Sequence, residues 1–117
     1  MVKDDCIFCS IANGKIPTGV VYEDDVVMAF EDANPQMPVH VLIVPKQHFD
    51  NIGDNIPEDI LGHMFATVKK VADIKGIAQG GYRVLVNTGD DAGQVVHHVH
   101  VHVLGGAPMN DGNPSAR

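Results

Sequence analysis

Four of the seven histidines in this 117-residue chain fall within His97-His98-Val99-His100-Val101-His102-Val103-Leu104. The intervening valines are β-branched, which favours an extended segment over a helix. Alternate side chains of a strand share a face. His98, His100 and His102 therefore stand in a row, while Val99, Val101 and Val103 point the other way into a core. Imidazole is a nucleophile and also an acid or base near neutral pH, so such a row suits attack on phosphorus and handling of a leaving-group proton. The spacing alone leaves a metal site or a solvated face open. A second group of chemical interest is Cys6 and Cys9. A Cys-x-x-Cys pair reads as a metal half-site, a redox pair or two buried thiols, and a structural disulfide is not expected.

The elements that must position these residues are legible as short strands around one helix. Residues 6–13 form a short helix closed by Gly14. Residues 19–23 and 26–31 read as strands joined in a hairpin at Asp24-Asp25, and Pro38 introduces an apolar strand from Val39 to Val44, ended by Pro45. Ile60, Leu61, Met64, Phe65, Val68, Val71 and Ala72 share one face of the main helix, with Asn55 and Glu58 as a capping box and Gly76 as its stop. Tyr82 to Asn87 and Val95 to Leu104 supply the last strands, and residues 88–93 turn between them. This pattern predicts an α+β fold with an antiparallel sheet of about five strands.

A formal charge of −7 argues against a chain that coats a nucleic acid polymer, which would carry a basic stripe. No run approaches the roughly 20 apolar residues of a membrane span, and the N-terminus does not read as a signal peptide, so a cytoplasmic location is the expectation. Residues 1–106 read as one domain and 107–117 as a polar, turn-rich tail.

His-x-His-x-His followed by two apolar residues, with Gly93-Gln94 upstream, resembles the histidine triad (HIT) superfamily, and within it the Hint-type phosphoramidases. Cys6-Ile-Phe-Cys-Ser-Ile, Val21-Tyr-Glu-Asp, Ala29-Phe-Glu-Asp, Pro38-Val-His-Val-Leu-Ile-Val-Pro-Lys and Gly81-Tyr-Arg-Val-Leu-Val-Asn extend the likeness over most of the chain. The resemblance implies a nucleotide hydrolase acting on purine nucleoside phosphoramidates, with two subunits sharing one sheet as a homodimer. His100 would be the nucleophile, forming a nucleotidyl-histidine, with His102 and His40 in a proton relay. Phe8, Phe30, Asp32, Asn87, Gly93, Gln94 and Val95 match nucleotide-binding positions, Asp32 facing the ribose and the Gly93-Gln94 backbone facing the phosphate. Bacterial members resembling this chain pair Cys6 and Cys9 with His48 and His98 around a structural zinc, and no cofactor is required for catalysis. The chain departs from the pattern at Ala33, where isoleucine is usual, and at Val95, where many relatives carry serine. Two alternatives accompany this reading: a dinucleoside polyphosphate hydrolase of the same superfamily, and a non-enzymatic nucleotide- or metal-binding regulatory protein. His63 reads as an ordinary boundary residue, and His97 has the wrong parity for the row.

Overall fold

The computed structural model describes residues 2, 3 and 5–109; residues 110–117 of the expected tail lie outside the described residues. The described residues run α1 (Ile7–Ala12), β1 (Val20–Glu23), β2 (Val27–Glu31), β3 (Val39–Pro45), α2 (Glu58–Lys75), β4 (Tyr82–Leu85) and β5 (Val101–Gly105), with a 3-10 turn at Asp90–Ala92. The five strands form one sheet in the order β1-β2-β3-β5-β4, with every neighbouring pair antiparallel. The expected α+β architecture is present.

Alternation along the strands separates two apolar layers. Val27, Ala29, Val41, Ile43, Val101 and Val103 face α2 and pack with its Met64, Val68, Val71 and Ala72. Met28, Phe30, Leu42 and Val44 occupy the opposite face and pack with Phe8, Ile11 and Ala12 of α1. Leu42 is directly opposite His102, and His40 is opposite Leu104. Paired residues share a face in an antiparallel ladder, so His40 and His102 lie on the α1 side. The valines of the histidine row enter the α2 core, as their parity requires.

Local chemistry moves three boundaries from their expected places. The capping box at Asn55 and Glu58 does not form. Pro57 is the N-cap, without a side-chain hydrogen bond, and Asn55 takes φ 52°. A proline drives the residue before it into extended backbone, so the helix cannot begin upstream of Pro57. Glu58 and Asp59 then place negative charge against the positive end of the helix. Gly76, at φ 72°, ends the helix in the left-handed region as expected. Phe65 is exposed rather than buried, because the inward face is centred on Met64, Val68 and Val71 and Phe65 sits about 100° around the axis from Met64.

The last strand is shorter than the valine pattern suggests, beginning at Val101 instead of Val95. Ile43 pairs with Val101 at the end of the ladder, and the next potential partner, Pro45, has no amide proton to extend it. The segment leading into β5 bonds to the loop after β3 instead: the Val99 amide donates to the Phe49 carbonyl at 2.7 Å. Strand β4 likewise stops at Leu85, two residues before Asn87.

Candidate functional site

Hydrogen-bond partners assign the tautomer of each ring in the histidine row. The His100 Nδ1 lies 2.7 Å from the His98 carbonyl. A carbonyl only accepts, so Nδ1 carries the proton and Nε2 of a neutral ring keeps its lone pair. Phe8 stands edge-on to this ring at 5.0 Å between centroids, and His102 packs on it at 4.8 Å. His100 is 2 % exposed.

His102 and His40 form the next link. The Gln36 amide donates to His40 Nδ1 at 3.0 Å, which leaves the proton of a neutral His40 on Nε2. That nitrogen is 2.9 Å from His102 Nδ1 and 3.3 Å from Asp32 Oδ2. Neutral His102 accepts at Nδ1 and therefore carries its own proton on Nε2. The other Asp32 oxygen accepts from the Asn34 amide at 2.8 Å, closing the turn after β2. All three side chains are buried.

A separate cluster surrounds α1. Cys6 Sγ and Cys9 Sγ each lie 3.3 Å from His98 Nδ1, and Cys9 Sγ lies 3.3 Å from His48 Nδ1. The far nitrogens are tied down. His98 Nε2 donates to the Pro45 carbonyl at 2.8 Å, and His48 Nε2 pairs with Asp50 at 2.6 Å. Both rings thus present Nδ1 lone pairs to the thiols. One ligand atom from each of the four residues lies within 4.8 Å of the others, so the group could hold a metal ion. Zinc bonds of about 2.3 Å to sulfur and 2.0–2.1 Å to nitrogen, set tetrahedrally, separate sulfur from nitrogen by about 3.5 Å. The observed spacing is within a few tenths of that, so the residues fit the ion. Burial pushes His98 down to about 4, keeping the ring in the neutral form that ligates. Burial also raises the Cys9 thiol, a cost that a bound dication would reverse. The hydrogen bond from His48 holds Asp50 below the usual carboxylate range.

The remaining predicted residues are distributed around these two clusters. Phe8 and Phe30 meet edge-on at 5.5 Å within the α1 core. The Gly93 and Gln94 amides, expected to face a phosphate, donate instead to the Asp90 and Gly89 carbonyls at 3.0 and 3.1 Å. Gly93, at φ 80°, closes that turn in a conformation that favours glycine. The Gln94 side chain cross-links the loop: it accepts from the Gly89 amide at 2.9 Å and donates to the carbonyls of Asp50 at 2.7 Å and Val96 at 3.0 Å. Val95 is 67 % exposed, and Asn87 is half-buried just beyond β4. A cavity of about 340 Å³ opens beside Cys6 and His48 and is rimmed by Lys3, Asp50, Val95 and His97. A larger one, about 540 Å³, is lined by residues including Ile77, Gly81 and Pro108, none of them from the histidine clusters.

Sequence reasoning missed the groups that orient the rings. Asp50, two residues after His48, carries a readable signal: a carboxylate beside a ligand histidine commonly fixes its tautomer. The carbonyls of Pro45 and His98 and the amide of Gln36 carry none, because backbone groups are identical at every position. His63 is also more than a boundary residue, since its Nε2 is 2.7 Å from Asp24 Oδ2.

Comparison with known proteins places this arrangement. Residues 13–109 match the model of the HIT domain. The chain is 42 % identical to the purine nucleoside phosphoramidase of Escherichia coli K12, over 92 % of this chain and 92 % of that protein. Among solved structures it resembles a histidine triad protein from Clostridium difficile, at 47 % identity and a TM-score of 0.91, covering 97 % of this chain and all of that one. It also resembles a HIT family hydrolase from Clostridium thermocellum, at 43 % identity and a TM-score of 0.89, over 95 % and 98 % of the two chains.

Proposed function

The chain belongs to the HIT domain family, and from that membership we propose that it hydrolyses the P–N bond of purine nucleoside phosphoramidates through a covalent intermediate on His100. The observation that supports this reading is the 2.7 Å bond from His100 Nδ1 to the His98 carbonyl, which leaves the lone pair of a neutral ring on Nε2, as nucleophilic attack requires. In the first step the Nε2 lone pair bonds to the α-phosphorus and the P–N bond breaks. The amine leaves with the Nε2 proton of a His102 that has taken up a second proton, so this ring acts as an imidazolium and ends the step neutral, with His40 Nε2 as its neighbour in the relay. In the second step water attacks phosphorus, the P–Nε2 bond breaks, and its proton returns to the relay. The products are a nucleoside monophosphate and an amine. Dividing the displacement spares water from expelling an amine directly.

Asp32 receives the ribose hydroxyls in this reading, exchanging its contact with His40 for the substrate. Phe8 and Phe30 wall the base, and Asn87 with the segment from Gly93 to Val95 borders the phosphate. Cys6, Cys9, His48 and His98 hold a structural zinc, which would clamp α1 to the segment entering β5. Two chains pair as a homodimer across a sheet edge. Among the described residues no helix is long and apolar enough to cross a membrane.

Release of AMP from adenosine 5′-phosphoramidate, by wild type and by His100→Ala, tests the reading. Turnover by wild type that His100→Ala loses while keeping its fold is the expected result. Binding of AMP without turnover by wild type would reject it.

A further inference from the structure

Cys6 and Cys9 are the two cysteines of the chain, and they share one turn. Cys6 is the N-cap of α1, and Cys9 follows three residues later inside the helix. The Cys9 amide donates to Cys6 Sγ at 3.3 Å, so the first sulfur is folded back over the turn toward the second. The Lys3 amide donates to Cys9 Sγ at 3.4 Å. The two sulfurs lie within 4.8 Å of one another. Helix geometry sets α-carbons three residues apart at about 5 Å, inside the range of about 4.4–6.8 Å that a disulfide spans. Closing the pair therefore calls on side-chain rotation within one turn, not on movement of a distant segment.

The sulfurs differ in access. Cys9 is fully buried, whereas Cys6 is half-buried and forms part of the wall of the cavity of about 340 Å³. A small hydroperoxide entering that cavity meets Cys6 first, with Cys9 behind it. Oxidant-sensing cysteines are accessible and stand beside a second thiol that resolves the first product. The histidines of the cluster have anchors of their own: His48 pairs with Asp50 at 2.6 Å and His98 with the Pro45 carbonyl at 2.8 Å. Loss of both thiolates thus removes two of the four ligands that a closed zinc site requires, and with them the bridge from α1 to the histidines. Phe8, between the cysteines in sequence, meets the His98 ring at 6.2 Å and the His100 ring at 5.0 Å, so release of α1 reaches the nucleophile.

We propose that Cys6 and Cys9 form a hydroperoxide-sensitive switch, in which their oxidation to an intramolecular disulfide expels the metal of the cluster and slows turnover at His100. The Cys6 sulfur attacks the O–O bond; one oxygen stays on sulfur as a sulfenic acid and the other leaves as water or an alcohol. The Cys9 sulfur then bonds to the Cys6 sulfur, the S–O bond breaks, and that oxygen leaves as water. The two sulfurs give up two electrons in all, and the hydroperoxide takes them. Two protons are consumed, supplied by the thiols of metal-free protein or by solvent where the thiolates of the loaded cluster react. A dithiol reverses the change by exchange. The slowing of turnover rests on the proposed hydrolysis, whereas the disulfide and the loss of metal do not.

Zinc-loaded protein is treated with hydrogen peroxide while a chromophoric chelator reads free zinc and intact-mass spectrometry reads the thiols. One zinc should be released for each disulfide formed within a chain, and dithiothreitol with added zinc should restore the starting state. Release of AMP from adenosine 5′-phosphoramidate should fall roughly tenfold on oxidation and recover on reduction. In metal-free protein, Cys9→Ser should stop at a Cys6 sulfenic acid that a cyclic diketone traps. Metal-free Cys6→Ser should lose its remaining thiol at least tenfold more slowly than Cys9→Ser, because Cys9 is buried. Circular dichroism checks the fold of both variants. Failure of wild type to take up zinc, zinc retained through disulfide formation, or sulfinic acid at Cys6 in place of the disulfide overturns the inference. So does equal reactivity of the two folded variants, or full turnover by the oxidised, zinc-free chain. Wild type that releases zinc with disulfide formation but hydrolyses nothing in either state rejects the phosphoramidase reading and upholds the disulfide-coupled loss of metal.

Discussion

His98 and His100 are two residues apart and both buried, yet they turn opposite nitrogens toward their work. His98 gives Nε2–H to a carbonyl of β3 and presents Nδ1 to two thiols. His100 gives Nδ1–H to the carbonyl of His98 itself and keeps Nε2. The ring types are identical, so the difference lies in which backbone oxygen each can reach. A side chain that donates to the carbonyl two residues back keeps its lone pair on Nε2; one that crosses to a neighbouring strand keeps it on Nδ1. His98 also joins the two regions, since its side chain belongs to one cluster and its carbonyl orients the other.

The comparison breaks most sharply at His100. His100→Ala should lower hydrolysis of adenosine 5′-phosphoramidate by on the order of 10³-fold or more, with bound zinc unchanged by elemental analysis. Zinc lost along with turnover would show that the two clusters are one unit. Cys9→Ser works from the other side. It should abolish bound zinc and lower hydrolysis roughly tenfold, because the His98 carbonyl loses its anchor while His100 keeps its nucleophilic nitrogen. Full activity in zinc-free Cys9→Ser would remove any coupling through His98.

Asp50→Ala sharpens the same contrast more gently. It removes the partner that fixes the His48 tautomer and should weaken zinc by about 10–100-fold in competition with a chelator. Hydrolysis under saturating zinc should stay within a factor of two or so of wild type, since the Asp50 side chain pairs with His48 and Lys3 and the substitution leaves the backbone carbonyl that Gln94 uses in place.

The smallest effect belongs to a carboxylate remote from both clusters. Burial pushes Asp24 upward, but hydrogen bonds from His63, Val27, Val26 and Tyr22 outweigh it and hold the carboxyl well below the usual range. A depressed folded value means the unfolded chain binds more protons in acid. The contribution is therefore complete above the ordinary carboxylate value of about 4 and declines as pH falls below it. Asp24→Asn should cost about 1 kcal/mol near neutrality, discounted for partial exposure, and flatten the acid limb of stability measured by urea unfolding at several pH values. A wild-type acid limb in the variant would assign the pH dependence elsewhere.

Parity carried much of this architecture into view from the sequence. The valines between the histidines must enter a core, and the α2 face at Met64, Val68 and Val71 demands a sheet to cover it. Residue types marked the two clusters too: Cys6 and Cys9 do stand together with His48 and His98, and His102 stands with His40. What stayed hidden depends on contacts between distant segments. Pro45 truncates a strand more than 50 residues away, which no local window reveals. The Gly93 and Gln94 amides are consumed by the turn that contains them, and only the folded turn shows that. Asp24 is an ordinary hairpin residue until α2 brings His63 to it.

The antiparallel pairing of β3 with β5 has a kinetic consequence. His40 and His102 are 62 positions apart and meet only when these two central strands join. Closing so long a loop costs entropy before any long-range contact repays it. The β1–β2 hairpin and α2 can form from local sequence, but the site cannot exist in any partly folded chain that lacks this pairing. During refolding, helical circular dichroism should therefore lead, and catalytic competence should arrive only with the final cooperative closure of the sheet.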